Sequence, residues 1–310
     1  MNNTQLHNPL LCDPERGVCE IPGTSEAKVK TTLSSKQKPI RIVYFTDPIC
    51  SSCWGIEPQL RKLKLEYGDK FEIEYHMGGL LPSWENFNGG GITKPSDVAR
   101  HWDEVSKYYE MPIDGDVWFE DPLPSSYPPS IAFKAAQLQD EEKAIRFLRR
   151  IREMVFLEKK NITKWEYIQQ AANAVGLNTI QLRTDFDGKA KQLFQNDLDF
   201  ARKLGVRGFP TMFFTDTLNN QLIVYGFKPY EAFENSILKL IPQAVKNEID
   251  ISWESLFVHY PTLTTKEFAV LTNNSRENAE KILSDLFNQH ILTKLTTKNG
   301  TLWRNKNTTR

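Results

Sequence analysis

The chain has little cysteine, no excess charge of either sign and no long apolar run, and each shortage excludes a class of protein. Four cysteines among 310 residues are too few for a disulfide-stabilised scaffold. Basic and acidic residues number 39 each, so charge favours neither nucleic acid nor an anionic membrane as partner. No apolar stretch approaches the roughly twenty residues of a transmembrane helix, and the first residues lack the features of a secretory signal. We therefore expect a cytoplasmic protein whose thiols rest mainly reduced.

Two of the cysteines form the motif Cys50-Ser-Ser-Cys53, which follows an apolar run at 42–45 and a turn at 46–48. This order predicts a buried strand, a turn, and a helix that begins at the first thiol, where unpaired N–H groups and the helix dipole stabilise a thiolate. The spacing lets both sulfurs reach disulfide distance. We expect Cys50 to be an exposed catalytic nucleophile and Cys53 the buried resolving thiol. The alternative is half of a zinc site, which needs two further ligands.

The other two cysteines, Cys12 and Cys19, lie in a polar segment, residues 1–38, that shows no periodicity and is predicted to be a flexible tail. Their C-x6-C loop has three interpretations. It could be a second dithiol that exchanges with Cys50 through mixed disulfides. It could hold zinc together with His7 or with the thiols of the CxxC motif. The two residues could also be ordinary cysteines.

The rest of the periodicity predicts an α/β protein of the thioredoxin-like class. A strand at 71–76 follows the CxxC helix, a helical block at about 96–190 is inserted next, and Pro210 begins an apolar strand. Residues 118–124 and 127–129 are predicted to be loops because they are rich in proline. A strand at 221–226 and a helix at 229–240 close this domain, which we place at 39–245.

Residues 246–310 are predicted to form a small winged-helix-like module. Three helices are followed by a hairpin that turns at Asn299-Gly300, and Thr264 and Glu267 have the spacing of a capping box. The last helix carries charges of both signs and few arginines, which is poor for phosphate contacts. We therefore expect a packing or partner-binding module and no nucleic-acid partner.

Several motifs resemble the DsbA family of thioredoxin-fold proteins. The CxxC motif after a strand, the helical insertion and Gly-Phe-Pro-Thr at 208–211 carry this resemblance. Segments 46–54, 115–120, 131–138 and 160–163 are more specifically similar to the cytosolic SpxH (YjbH) branch. Members of that branch are adaptors that deliver a transcription regulator to the ClpXP protease. The resemblance covers about 40–245.

The resemblance implies a fold, a set of site residues and two functions. The bond between Phe209 and Pro210 should be cis, Pro210 should face the CxxC thiols, and the backbone of Phe209 should pair with a bound peptide. Phe209, Thr211 and Trp54 are then the substrate-binding residues. The leading function is thiol–disulfide exchange on protein or small-molecule disulfides through Cys50 and Cys53. The alternative is SpxH-like delivery of a client regulator to ClpXP. No cofactor is expected, with zinc as the alternative.

Overall fold

The computed structural model describes residues 12–13, 18–20, 38–85 and 94–306. The strands in these ranges are β1 (Cys12–Asp13), β2 (Val18–Glu20), β3 (Ile40–Thr46), β4 (Phe71–Met77), β5 (Gly208–Phe209), β6 (Thr211–Asp216), β7 (Gln221–Tyr225), β8 (Thr262–Thr264), β9 (Leu292–Thr297) and β10 (Gly300–Asn305). The helices are α1 (Ser51–Gly55), α2 (Glu57–Tyr67), α3 (Pro95–Tyr109), α4 (Val117–Glu120), α5 (Tyr127–Gln137), α6 (Glu141–Leu157), α7 (Trp165–Ala174), α8 (Thr179–Asp187), α9 (Lys189–Lys203), α10 (Tyr230–Leu240), α11 (Trp253–His259), α12 (Thr265–Thr272) and α13 (Arg276–Asn288).

The central sheet has the strand order β4-β3-β6-β7. β3 is parallel to β4 and antiparallel to β6, and β7 is antiparallel to β6. β3 is apolar along most of its length because both of its faces are covered, and Ile42, Tyr44 and Phe45 are fully buried. Helices α3 to α9 are inserted between β4 and β5. The predicted thioredoxin-like fold with a helical insertion is confirmed.

Two of the predicted loops are partly helical. Residues 117–120 form α4, and α5 begins at Tyr127 with prolines in its first turn. The proline-rich stretch at 127–129 was wrongly predicted as loop because proline is tolerated where a helix begins. The N–H groups of that first turn have no partner within the helix, so their loss costs no hydrogen bond.

The segment that the sequence predicted to be a tail contains β1 and β2. These two short strands pair antiparallel, with Cys12 opposite Cys19. β2 in turn pairs antiparallel with β5, so the amino-terminal strands join the chain next to Pro210. His7 lies outside the described residues. The second dithiol and the zinc set of His7, Cys12 and Cys19 therefore remain predictions.

The carboxy-terminal module contains α11, α12 and α13, followed by the β9–β10 hairpin, as the sequence predicted. β8 completes a three-stranded sheet of order β8-β10-β9. A separate apolar core includes Leu263, Leu283 and Trp303. The predicted capping box is confirmed, because the Thr264 hydroxyl accepts from Glu267 N and the Glu267 carboxylate accepts from Thr264 N.

Buried ionic contacts dock this module on α2 and α6. The fully buried Glu267 carboxylate accepts two hydrogen bonds from the Arg149 guanidinium, at 2.7 and 3.0 Å, and lies 3.2 Å from Arg61 Nε. The Thr262 hydroxyl donates to Glu153, and Arg61 donates to the Thr262 carbonyl at 2.7 Å. The module therefore packs against the thioredoxin-like core through defined polar contacts. Among the described helices, none combines the length and apolarity needed to cross a membrane.

Candidate functional site

The CxxC motif lies where β3 passes into α1. Cys50 is the N-cap of α1, and its Sγ accepts a hydrogen bond from Cys53 N at 3.1 Å. Both cysteines have 0% relative exposure. The prediction that Cys50 is exposed is therefore wrong. β2 lies beside α1 and pairs with β5.

The two thiols have opposite electrostatic environments. Burial raises the pKa of Cys50 well above its ordinary value, and the Cys53 side chain and the charge of Asp47 add to the increase, whereas the hydrogen bond from Cys53 N opposes it. Burial also opposes ionisation of Cys53. Hydrogen bonding with Cys50 and Thr46 and the charge of Arg152 nevertheless lower the pKa of Cys53 below its ordinary value. The thiolate of this pair is therefore favoured on Cys53, whereas the sequence favoured Cys50 on the ground of the helix dipole.

Arg152 of α6 is the cation that favours this thiolate. Its side chain is 1% exposed, and Nη2 donates to Thr46 Oγ1 at 2.5 Å and to the Asp47 carbonyl at 3.3 Å. Nη1 donates to Glu57 Oε1 at 2.6 Å. Sequence reasoning missed Arg152. The sequence did contain an indication of its role, because this arginine lies on the apolar face of an amphipathic helix, next to Ile151.

Asp47 fixes the turn that precedes Cys50. Its carboxylate accepts from Ile49 N at 3.0 Å, from Leu80 N at 2.8 Å and from the Ser126 hydroxyl at 2.8 Å. Burial raises the pKa of Asp47 to about 6, although these hydrogen bonds oppose the increase. The three donors tie the turn to the segment after β4 and to the start of α5. Sequence reasoning did not assign this residue a role.

The bond between Phe209 and Pro210 is cis, as the resemblance implied. The register places Thr211 opposite Phe45, so the proline lies beside the turn that leads to Cys50. The Thr211 hydroxyl donates to the Gly208 carbonyl at 2.6 Å. The Phe209 ring fills the space at Gly78, where an added Cβ would lie 1.7 Å from Phe209 Cζ. The Phe209 side chain is therefore packed inside the protein, and only its backbone is available for strand pairing.

Two predicted substrate-binding side chains have structural roles instead. Trp54 is fully buried, donates from Nε1 to the Pro112 carbonyl at 3.0 Å and stacks on Phe156. The resemblance implied a place in the substrate groove, but the turn of α1 directs the side chain into the core. Thr211 is 4% exposed, and its hydroxyl is used by Gly208. Thr211 therefore supports the proline loop and is not a contact surface.

The edge of β5 carries a strand of the chain itself. Cys19 lies opposite Phe209 and Glu20 opposite Gly208. This is the backbone that the resemblance assigns to peptide binding. The structure therefore brings together the thiols, the cis proline and an extended segment.

No metal cluster complements this arrangement in the part of the chain that the structure describes. Within those ranges no group of three or more His, Cys, Asp or Glu residues could hold a metal ion. Cys50 and Cys53 lie instead among Thr46, Asp47 and Arg152, and the last of these is a cation that would repel zinc. The zinc alternative, which would draw further ligands from outside the described residues, remains a prediction.

The chain is similar to thioredoxin-like proteins and to protease adapters. A family model described as thioredoxin matches residues 44–235. The ClpXP adapter protein SpxH of Halalkalibacterium halodurans is 33% identical over 302 residues, which are 96% of this chain and 97% of that protein. SpxH of Bacillus subtilis is 29% identical over 277 residues, with 88% and 91% covered. The cytosolic disulfide reductase DsbM of Pseudomonas aeruginosa shares the fold, with a TM-score of 0.52, 20% identity and coverage of 64% and 99%.

Proposed function

Because the chain belongs to the SpxH family of DsbA-like, thioredoxin-fold proteins, we propose that it is a cytoplasmic protease adaptor. It binds an extended segment of a client regulator along β5 and delivers that client to ClpXP. The relatives that match nearly the whole chain bear the name of ClpXP adapter. The family name alone does not specify how the client is held, and the geometry beside Pro210 supports a particular mode.

The pairing of β2 with β5 is the observation that carries this proposal. An exposed strand edge binds a peptide through main-chain hydrogen bonds, which tolerate many sequences. Cys19 and Glu20 already use this edge within the same chain. A client segment with the same extended conformation would replace β2. The adaptor therefore has a covered state and a client-bound state that share one binding edge.

The environment of the thiols supports a binding role more than rapid turnover. A nucleophilic cysteine reacts as its thiolate, and burial raises the pKa of Cys50. The side chain is also fully buried while β2 is in place. In the adaptor account, the cysteines shape the floor of the groove and their oxidation state tunes client affinity.

Thiol–disulfide exchange is the second candidate, and the lowered pKa of Cys53 favours it. Once β2 has left, Cys50 would attack a substrate disulfide and form a mixed disulfide, releasing one substrate thiol. The Cys53 thiolate would then attack Cys50 Sγ, which releases the second substrate thiol and leaves a Cys50–Cys53 disulfide. Two electrons pass from the protein dithiol to the substrate, and a cellular thiol such as glutathione would restore the dithiol.

A degradation assay separates the two functions. Purified ClpXP and the candidate client regulator of the same organism are incubated with and without this protein. The adaptor account predicts faster client loss, most of which survives in the Cys50→Ser/Cys53→Ser variant. No acceleration by the wild-type protein would refute it. If the double variant loses the acceleration and the wild-type protein reduces insulin, exchange becomes the better account.

A further inference from the structure

A second candidate site lies away from the β5 edge. A cavity of about 920 Å³ opens between α2, α6, α7 and residues 260–262 and 304 of the carboxy-terminal module. Its wall includes Leu60 of α2, Leu148 of α6, Val175 after α7 and Thr262 of β8. Arg152 and Glu57 also line it, so the same guanidinium borders both the cavity and the turn that precedes the thiols.

Positive charge dominates the wall of this cavity. Eight of its lining residues are lysine or arginine, and three are glutamate. Some of the cations are compensated, as Arg149 is by Glu267 and Glu153. Four others have no carboxylate within ion-pair distance among the described residues, namely Lys64, Lys143, Arg146 and Arg304. The cavity therefore keeps an excess of positive charge after its internal ion pairs have been counted.

The uncompensated cations differ in how they are held. Among the described residues, Lys64 Nζ donates only to the Tyr75 hydroxyl, at 3.0 Å, and Lys143 Nζ only to the Gly176 carbonyl, at 3.0 Å. The side chains of Arg146 and Arg304 make no hydrogen bond or ion pair within the described part of the chain. In addition, Arg152 Nε is buried without a hydrogen-bond partner. A buried donor left in this way costs free energy.

We propose that this cavity binds a phosphorylated small molecule of about the size of a nucleoside diphosphate. Guanidinium groups present paired N–H donors that match phosphate oxygens, and several converge here. The volume lies at the upper end of the roughly 300–1,000 Å³ of small-molecule pockets, so it exceeds the need of a free phosphate ion. Leu60, Ile145 and Leu148 supply an apolar wall for the organic part of the ligand.

A small molecule suits this cavity better than an acidic peptide. The wall is built chiefly from side chains of α2, α6 and α7, so few backbone groups are available for strand addition. The bound molecule would contact both the thioredoxin-like core and the carboxy-terminal module. Its binding would therefore add to the contacts of Arg149 with Glu267 that dock the module, and it should raise the melting temperature.

Calorimetric titration of the full-length protein with ADP tests this site, with pyrophosphate, adenosine and hexaglutamate as the other arms. We expect saturable one-site binding of ADP, weaker binding of pyrophosphate, and none of adenosine or hexaglutamate. The Arg146→Ala/Arg304→Ala variant should lose at least about tenfold in ADP affinity and keep the melting temperature of the unliganded wild-type protein.

The control variant is Arg202→Ala/Lys203→Ala, which removes the same charge from an exposed part of α9 outside the cavity. It should bind ADP like the wild-type protein. The proposal is overturned if ADP shows no saturable binding, or if both double variants lose affinity equally. Binding of hexaglutamate without ADP would also overturn it and would point to a peptide ligand.

Discussion

Cys19 lies opposite Phe209 in an antiparallel strand pair, and Phe209 immediately precedes the cis bond to Pro210. Cys19, in the amino-terminal segment, therefore pairs with the backbone of Phe209. The family resemblance assigns this backbone to pairing with a bound peptide. Cys50, at the start of the helix beside β2, is fully buried. The proposed client edge of β5 is thus occupied by β2, so the proposal implies that β2 and a client compete for it.

Replacement of Thr46 by valine should raise the pKa of Cys53. The Thr46 side chain hydrogen-bonds with Cys53, which favours the thiolate, and it also accepts from Arg152. Valine has a similar shape and lacks the hydroxyl. The pKa is followed by thiolate absorbance during a pH titration. Thr215→Val is the control, because Thr215 is a buried threonine of the same sheet whose partner is Gln221. A wild-type titration curve in Thr46→Val would contradict the assignment.

Gly78→Ala should destabilise the protein by about 1–3 kcal/mol. The added methyl group would lie 1.7 Å from Phe209 Cζ, so the ring and the β5 edge must shift. We also expect weaker binding of any strand at that edge. Urea denaturation measures the free energy of unfolding. Gly188→Ala is the control, since its added Cβ would meet only the Thr184 carbonyl oxygen at 3.1 Å. Equal stability of both variants would show that the Phe209 ring does not pack tightly against Gly78.

Glu267→Gln should reduce stability by about 3 kcal/mol or more, because it leaves the buried Arg149 and Arg61 guanidiniums without their shared carboxylate. The loss should appear first as separation of the carboxy-terminal module, detected by faster proteolysis between 245 and 262. Glu254→Gln, at an exposed position of α11, should stay within about 0.5 kcal/mol of wild type. Identical proteolysis of both variants would show that the network does not dock the module.

The pH dependence of this contribution follows from the same residues. Burial opposes ionisation of Glu267, but Arg149 and Arg61 outweigh it and lower the pKa of the carboxyl below its ordinary value. Because the pKa of Glu267 is lower in the folded state, the ionised carboxylate stabilises the fold at every pH above its unfolded-state pKa of about 4.3. This stabilisation is lost as the pH falls through the folded-state pKa. The stability difference between wild type and Glu267→Gln should therefore be constant near neutral pH and shrink below about pH 4. An unchanged difference at low pH would contradict this.

Local features were predictable from the sequence because each depends on neighbouring residues. The strand, turn and CxxC helix share one short segment, and the capping box at Thr264 needs only a partner three residues away. The cis bond before Pro210 came from a motif resemblance. The fold order followed from periodicity, which reports the buried face of each element.

The features that were missed depend on contacts between distant segments. Arg152 reaches Thr46 across 106 positions, and nothing in the spacing of either residue indicates the other. The pairing of β2 with β5 involves a three-residue strand in a polar segment with no periodicity. Trp54 was misplaced because helical position alone does not tell whether a side chain points to the groove or the core.

Binding of a peptide at the β5 edge is the measurement that tests the central claim most directly. A fluorescent peptide with the sequence of residues 16–22, with serine in place of Cys19, is titrated by anisotropy. Its targets are the wild-type protein and the Cys19→Pro/Glu20→Pro variant, in which β2 cannot donate backbone hydrogen bonds to β5. The control is Cys12→Pro/Asp13→Pro, which alters only β1, a strand that pairs with β2 and not with β5.

We predict at least about tenfold tighter binding to the β2 variant than to the wild-type protein or the β1 variant, because a tethered strand competes at high effective concentration. The same peptide with methylated backbone nitrogens at the two pairing positions should not bind. Equal affinity for all three proteins, or no binding to the β2 variant, would contradict the account that the Gly208–Phe209 edge receives a client strand.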